Sequence, residues 1–224
     1  MSSAMREIRD AGGRFLTPGA GVSTRHSFSY GAHYDPDNIA FGPLIAINTE
    51  TLEPGSGYDS HRHADVEIVT WVLSGALHHE DSTGVNGTIT PGIAQRLSAG
   101  TGVEHTERNA SDTEELVFVQ MMLVSDHDGE PSYAQSAVEP RPGELTPAVD
   151  VEAPADLFVV RLGAGDSVTV PAAPRSLVHV TRGAITLGDT TLTSGDEARL
   201  TDEDAYDLSA ADEGGEALIW QLWR

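Results

Sequence analysis

The sequence predicts an all-β chain folded as two tandem copies of one small barrel. Three observations point there. Short apolar or alternating runs are separated by tight-turn residues throughout, in a chain with 23 Gly and 12 Pro. No stretch carries the sustained 3.6-residue periodicity of an amphipathic helix. Two segments recur in the same order: Val72-Leu73-Ser74-Gly75-Ala76-Leu77 is echoed by Val180-Thr181-Arg182-Gly183-Ala184-Ile185, and Ala94-Gln95-Arg96-Leu97-Ser98 by Glu197-Ala198-Arg199-Leu200-Thr201. At 224 residues the chain can hold two domains of roughly 100 residues each.

The first 25 residues are loop-rich, with Gly12-Gly13 and Pro18-Gly19-Ala20-Gly21 and room for one early strand. Arg25 to Tyr30 alternates polar and aromatic residues as a strand does, and Tyr34 to Asn38 is a turn. Leu44 to Asn48 reads as a short buried strand, and Glu53 to Gly57 turns the chain toward His61. From His61 one strand is expected to run on through Leu73, apolar on both faces in its second half. Ala76 to Asp81 returns, Thr83 to Gly87 is a hairpin turn carrying Asn-Gly, and Leu116 to Val124 is a strong strand. Residues 125–155 are rich in Pro, Gly, Glu and Ser; the linker is placed at 136–155, between a first barrel over 1–135 and a second over 156–224. Strands follow at Leu157–Leu162, Ser167–Val170, Ser176–Val180, Ala184–Leu187, Ala198–Leu200 and Ala217–Leu222.

Net charge is −22, from 35 acidic and 13 basic residues, and every basic residue is Arg. A field of that sign repels phosphate backbones and anionic lipid, which argues against direct nucleic-acid or membrane binding. The missing Lys reads either as adaptation to high salt or as the codon usage of a GC-rich genome. No run approaches the roughly 18 apolar residues of a membrane span. Met1 to Arg6 lacks the apolar core of a signal peptide, so a cytoplasmic location is expected. Without cysteine, a metal site could draw only on His and carboxylates, which suit hard or borderline ions.

The chemistry concentrates between Gly55 and Asn109. Side chains at i and i+2 leave a strand on the same face, so His61 with His63, and His105 with Glu107, are two forked pairs of potential ligands. Two such strands brought together inside a barrel converge three imidazoles and a carboxylate on one point. In the second copy Thr169, Pro171 and Arg175 fall where His61, His63 and Glu67 stand, and Leu208 and Ala210 where His105 and Glu107 stand. One metal per chain is expected. His78-His79-Glu80-Asp81 also looks like a cluster, but adjacent strand residues point to opposite faces, so it reads as hairpin surface. His179 heads an apolar strand with no second donor near it in sequence. Trp71 reads as core, and His26 and His33 as hydrogen-bonded residues near the barrel mouth.

Gly55 followed by His61, His63, Glu67 and Gly75 resembles the first cupin motif, with one extra residue before the last Gly. Gly102, His105 and Asn109 follow the spacing of the second, with Gly100 where Pro is usual. The likeness narrows to the pirin family of bicupins through Arg25 to Tyr30, Asp35-Pro36 with Phe41-Gly42, Glu67 to Thr70, Ala99 to Gly102 and Pro131-Ser132-Tyr133. It is dense over the N-terminal half and a matter of pattern alone in the C-terminal half. The resemblance implies two tandem cupin barrels of the double-stranded β-helix, or jelly-roll, type. It implies one divalent metal, Fe(II) foremost with Mn, Ni, Co or Cu as alternatives, on His61, His63, His105 and Glu107. General cupins use the first-motif Glu instead, here Glu67, so both carboxylates stand as candidates for ligand and for catalytic base. The activity implied is quercetin 2,3-dioxygenase-like, cleaving a flavonol or related small aromatic enol with O2, while Glu107 or Glu67 takes the hydroxyl proton. Pirins that bind transcription factors imply the other reading, a metal- or redox-dependent sensor with a protein partner and no turnover. Asp59-Ser60, Arg62 and Glu104 depart from the common family wording, and these positions flank the ligands.

Overall fold

A computed structural model of the chain describes residues 4–210 and 212–224. Among them the structure is β throughout apart from one short 3₁₀ turn, Ala11–Gly13. In chain order the strands begin with β1 (Met5–Arg9), β2 (Phe15–Pro18), β3 (Val22–His26), β4 (Leu44–Leu52), β5 (Gly57–His63) and β6 (Val66–Ser74). There follow β7 (Leu77–Asp81), β8 (Asn86–Ile89), β9 (Ile93–Ser98), β10 (Val103–Asn109), β11 (Leu116–Val124) and β12 (Ser132–Ala137). The C-terminal part holds β13 (Thr146–Pro147), β14 (Ala155–Leu162), β15 (Ser167–Val170), β16 (Arg175–Leu187), β17 (Thr190–Thr193), β18 (Glu197–Thr201), β19 (Tyr206–Ser209) and β20 (Gly215–Leu222).

These strands form two cupin barrels as two compact units. One spans Arg14–Ala137 with Val151–Ala153; the other gathers the chain up to Gly13, Val138–Asp150 and Pro154–Arg224. The sequence reading puts all of 1–135 in the first barrel. Here β1 instead pairs antiparallel with β18, and Ile8 stands opposite Ala198. Its apolar pattern is too short to show which sheet it would join. The Pro-rich stretch is likewise not pure linker, because Thr146-Pro147 pairs with β14 and Glu152 bonds Arg96.

The internal repeat is visible in the sheets. The main sheet of the first unit runs β12-β9-β6-β11-β4-β3-β2, and that of the second runs β1-β18-β16-β20-β14-β13. Central strands of equivalent sequence thus take equivalent places. The register agrees to the residue: Val69 faces Arg96 in one unit, and Leu177 faces Arg199 in the other. Gly75 and Gly183, matched by the repeat, both take positive φ, 79° and 63°. A Cβ on Gly75 would come within 2.8 Å of the Glu115 carbonyl oxygen, and one on Gly183 within 2.2 Å of that of Gly214. Only glycine fits both turns.

The expected single strand from His61 to Leu73 is broken at Ala64-Asp65. Asp65 takes the left-handed conformation, φ 60°, and the chain changes sheets there: β5 pairs with β10, while β6 lies between β9 and β11. Its apolar half is core as expected, with Ile68, Val69, Trp71 and Val72 buried.

Candidate metal centre

Burial along β10 alternates residue by residue. Val103, His105, Glu107 and Asn109 face inward, and Glu104, Thr106 and Arg108 face outward. His105 and Glu107 therefore share the interior face, each only 2% exposed. On the neighbouring β5, His61 stands opposite His105 and His63 opposite Val103. The ladder then slips. Glu107 pairs with Tyr58, so β5 carries an extra residue at Asp59-Ser60. Such a bulge re-aims the side chains beside it.

The result is a tight imidazole cluster. Ring centroids lie 4.4 Å apart for His61–His105, 4.9 Å for His61–His63 and 5.0 Å for His63–His105. Donor atoms of all three lie within 4.8 Å of one another. His61 Nδ1 lies 2.8 Å from the Asp59 carbonyl oxygen, which holds its ring with Nε2 free to bind. His63 Nε2 and both nitrogens of His105 are buried without a hydrogen-bond partner. An orphaned buried nitrogen costs about 1–3 kcal/mol. One nitrogen from each of His61, His63 and His105, brought within 4.8 Å of one another, fits a cation, and the donor set is right for a divalent first-row ion.

The electrostatics agree. Burial pushes His63 down to about 4, helped by the neighbouring His61. Burial lowers His105 to about 3, and His61, His63 and His79 add to it. Both rings are thus neutral at physiological pH and present lone pairs. Glu107 moves the other way. Burial raises it to about 7 although Gln120 opposes, its amide donating to both carboxylate oxygens at 2.9 Å.

Glu107 does not join His61 and His63 in one group of donors within 4.8 Å; it joins His79 and His105 in a second, overlapping group. His79 is the residue that the sequence reading set aside as hairpin surface, and it is fully buried. The adjacency argument holds for His78 and Glu80, but β7 pairs with β10 so that Glu107 faces His79 and His105 faces Asp81. The alternate residues His79 and Asp81 thereby share the interior face with the ligands. The signal available was the i, i+2 spacing, the same that picks out His61 and His63. His79 Nε2 lies 3.1 Å from Asp81 Oδ2. Burial works against ionising Asp81, but hydrogen bonds from Thr83, His79 and Val85 outweigh it and hold its carboxyl below the usual value.

Glu67 stands apart from these groups. It is fully buried on β6, where it accepts hydrogen bonds from Ser98 Oγ at 2.6 Å and the Glu152 amide at 3.2 Å, with Arg96 Nη1 at 4.0 Å. The break at Asp65 is the physical reason: across it the strand phase that aims His61 and His63 no longer applies. Glu67, the other carboxylate the sequence offers as ligand or base, thus lies outside both donor groups and faces Ser98 and Arg96.

A cavity of about 640 Å³ opens onto His61, His63 and Glu107. Its strip of β4, β11 and β3 follows the register: Ala46 beside Met122, then His26, Asn48 and Gln120, then Glu50 beside Thr24. Tyr30 and Ile39 line it as well and are largely exposed. Glu50 is buried and accepts from the hydroxyls of Thr24 and Tyr58 at 2.6 and 2.7 Å; burial raises its pKa. His26 lies between Thr17 Oγ1 (2.9 Å) and Asn48 Oδ1 (3.1 Å), and His33 stacks on Phe15, as structural histidines do. In the second barrel the matching pair β15–β19 puts Val168 opposite Leu208 and Val170 opposite Tyr206, one step from the Thr169 alignment, and all four are buried. His179 there does have a partner, Glu197 at 3.3 Å.

The chain is similar to known proteins along most of its length. Residues 7–123 match the family model described as Pirin, and residues 142–222 that described as Quercetinase C-terminal cupin domain. A Mycobacterium tuberculosis protein whose name proposes a quercetin 2,3-dioxygenase is 44% identical, covering 98% of this chain and 96% of its own. The quercetin 2,3-dioxygenase of Escherichia coli K12 is 33% identical over 88% of this chain and 90% of its own. The crystal structure of the E. coli pirin YhhW in complex with nickel(II) superposes with a TM-score of 0.88 at 29% identity, covering 97% of this chain and 99% of that one.

Proposed function

The chain belongs to the pirin family, and from that footing we propose that it is a metal-dependent dioxygenase cleaving quercetin or a related flavonol or enol with O2. The observation that carries the reading is the convergence of His61, His63 and His105, with unpartnered ring nitrogens, beside the Glu107 carboxylate at the wall of a 640 Å³ cavity. A relative of 33% identity named quercetin 2,3-dioxygenase supports it from outside the molecule.

The ligand set proposed is His61, His63, His105 and Glu107, and the ion is Fe(II), with Mn, Ni, Co or Cu accepted by the same donors. When bound, that ion supplies Lewis acidity and a template for orienting two reactants. The remaining work falls to the chain. A planar aromatic ring system finds apolar faces at Ile39, Ile45, Ala46 and Met122, while Asn48, Glu50 and Tyr58 offer hydroxyl partners. Glu107 takes the flavonol hydroxyl proton onto a carboxylate oxygen. It can do so through whichever carboxylate oxygen is not bound to the ion. Gln120 fixes the carboxylate plane by donating to both oxygens.

The test is aerobic incubation of Fe(II)- and Ni(II)-loaded protein with quercetin, following oxygen uptake and carbon monoxide release. Turnover well above the free metals is expected. Rates equal to the free metals with every ion tried would refute the dioxygenase reading.

A further inference from the structure

A metal-ligating histidine almost always donates its second ring N–H to an acceptor, which fixes the ring and tunes its basicity. His61 has the Asp59 carbonyl for this at 2.8 Å. His105 has no partner on either nitrogen, although it is buried. Diagonally across the β7–β10 ladder, opposite Glu107, lies the buried His79, with its ring centroid 5.3 Å from that of His105. An imidazole N–H···N bond of ordinary length places two centroids roughly 5 Å apart. His79 gives Nε2 to the Asp81 carboxylate, an acceptor, which leaves Nδ1 as a lone pair, and that Nδ1 is buried and unpartnered. Asp81 is itself pinned, its Oδ1 accepting from the Thr83 amide at 2.9 Å and the Thr83 hydroxyl at 2.6 Å.

We propose that His79, locked by Asp81, is a positioning residue that accepts the non-coordinating N–H of His105 and so anchors the metal centre to the hairpin turn at Thr83. The inference rests on the metal reading above and extends it to a residue pair outside the ligand set. It involves no chemistry on the substrate.

The experiment is Ni(II) affinity of the full chain, measured by competition with a chelating dye, for wild type, His79→Phe, His79→Asn and Asp81→Asn. Phe keeps the packing volume and removes the acceptor; Asn loses volume but carries an amide oxygen where Nδ1 sits. A packing role would rank Phe above Asn, and an acceptor role ranks Asn above Phe. The expected result is a 10–100-fold weaker affinity in His79→Phe, substantial recovery in His79→Asn and a smaller loss in Asp81→Asn. Affinity within twofold of wild type in both His79→Phe and Asp81→Asn overturns the inference, as does Phe outranking Asn. If His79→Phe does not fold, Asp81→Asn alone decides by the same twofold criterion. A wild type that binds no Ni(II), or a His61→Ala variant that binds it as tightly as wild type, would instead overturn the metal reading beneath.

Discussion

In the first barrel, strands Gly57–His63 and Val103–Asn109 turn His61 against His105; in the second, the matching pair turns Val168 against Leu208. The frame around these pairs is the same, down to the Val69–Arg96 and Leu177–Arg199 registers and the paired glycines at 75 and 183. The second barrel fills its interior with a continuous apolar cluster that includes Val160, Val168, Val180, Leu187, Leu208 and Ile219. The first keeps apolar groups such as Leu52, Val72, Leu77, Ile89, Leu116 and Phe118, and gives another part of its interior to imidazoles and carboxylates. The barrel therefore does not need the polar centre in order to close. That centre is a cost in the metal-free chain, offset when a cation takes up the orphaned nitrogens.

The comparison breaks most visibly if the second pair is written into the first barrel. His61→Val with His105→Leu should lower metal content from one per chain to none, by elemental analysis, and abolish flavonol turnover. The metal-free protein should gain about 1–3 kcal/mol in urea unfolding, because buried unsatisfied groups are removed. The converse change touches only the second barrel: Leu208→Ala should cost about 2–5 kcal/mol and leave metal content at wild-type level. Within the first barrel the two buried carboxylates can be separated. Glu67→Gln should lower stability by about 1–3 kcal/mol while the metal is retained, since it weakens the contacts with Ser98 and Arg96. Glu107→Gln should do the reverse, weakening metal binding with little loss of metal-free stability.

The smallest effect is in protons. Glu107 titrates near 7 in the metal-free protein, while His63 and His105 are already neutral above about 4 and 3. Metal binding should therefore release more protons at pH 6 than at pH 8, read from the buffer dependence of the calorimetric enthalpy. Gln120→Leu removes two charge-stabilising hydrogen bonds and should move that midpoint upward by about one unit. The stability sign follows. A folded value raised above 4.5 means that Glu107 favours the fold at low pH, and that this contribution is lost as pH rises through about 7.

Much of this was legible in the residues. Period-two alternation and Gly turns gave the strands, and the Val72 and Val180 segments gave the duplication, because close backbone approach at Gly75 and Gly183 leaves no other choice of residue. The i, i+2 spacing brought out His61, His63, His105 and Glu107, since it depends on strand geometry alone. Long-range features were hidden. Nothing local says that Met5–Arg9 pairs with Glu197–Thr201, or that Asp65 bends the chain and takes Glu67 away from the imidazoles. Alternation of adjacent residues argues against one site on the whole His78 to Asp81 run, and hides that its alternate members His79 and Asp81 share a face. Only the pairing of β7 with β10 shows that His79 and Asp81 face inward.

The most direct measurement is an anomalous difference map from crystals of this chain grown with nickel(II). One peak per chain is expected, with His61, His63, His105 and Glu107 as ligands at about 2.1 Å and nothing in the second barrel. A peak coordinated by Glu67, a peak among the residues around Leu208, or a site lacking any of the three histidines would contradict it.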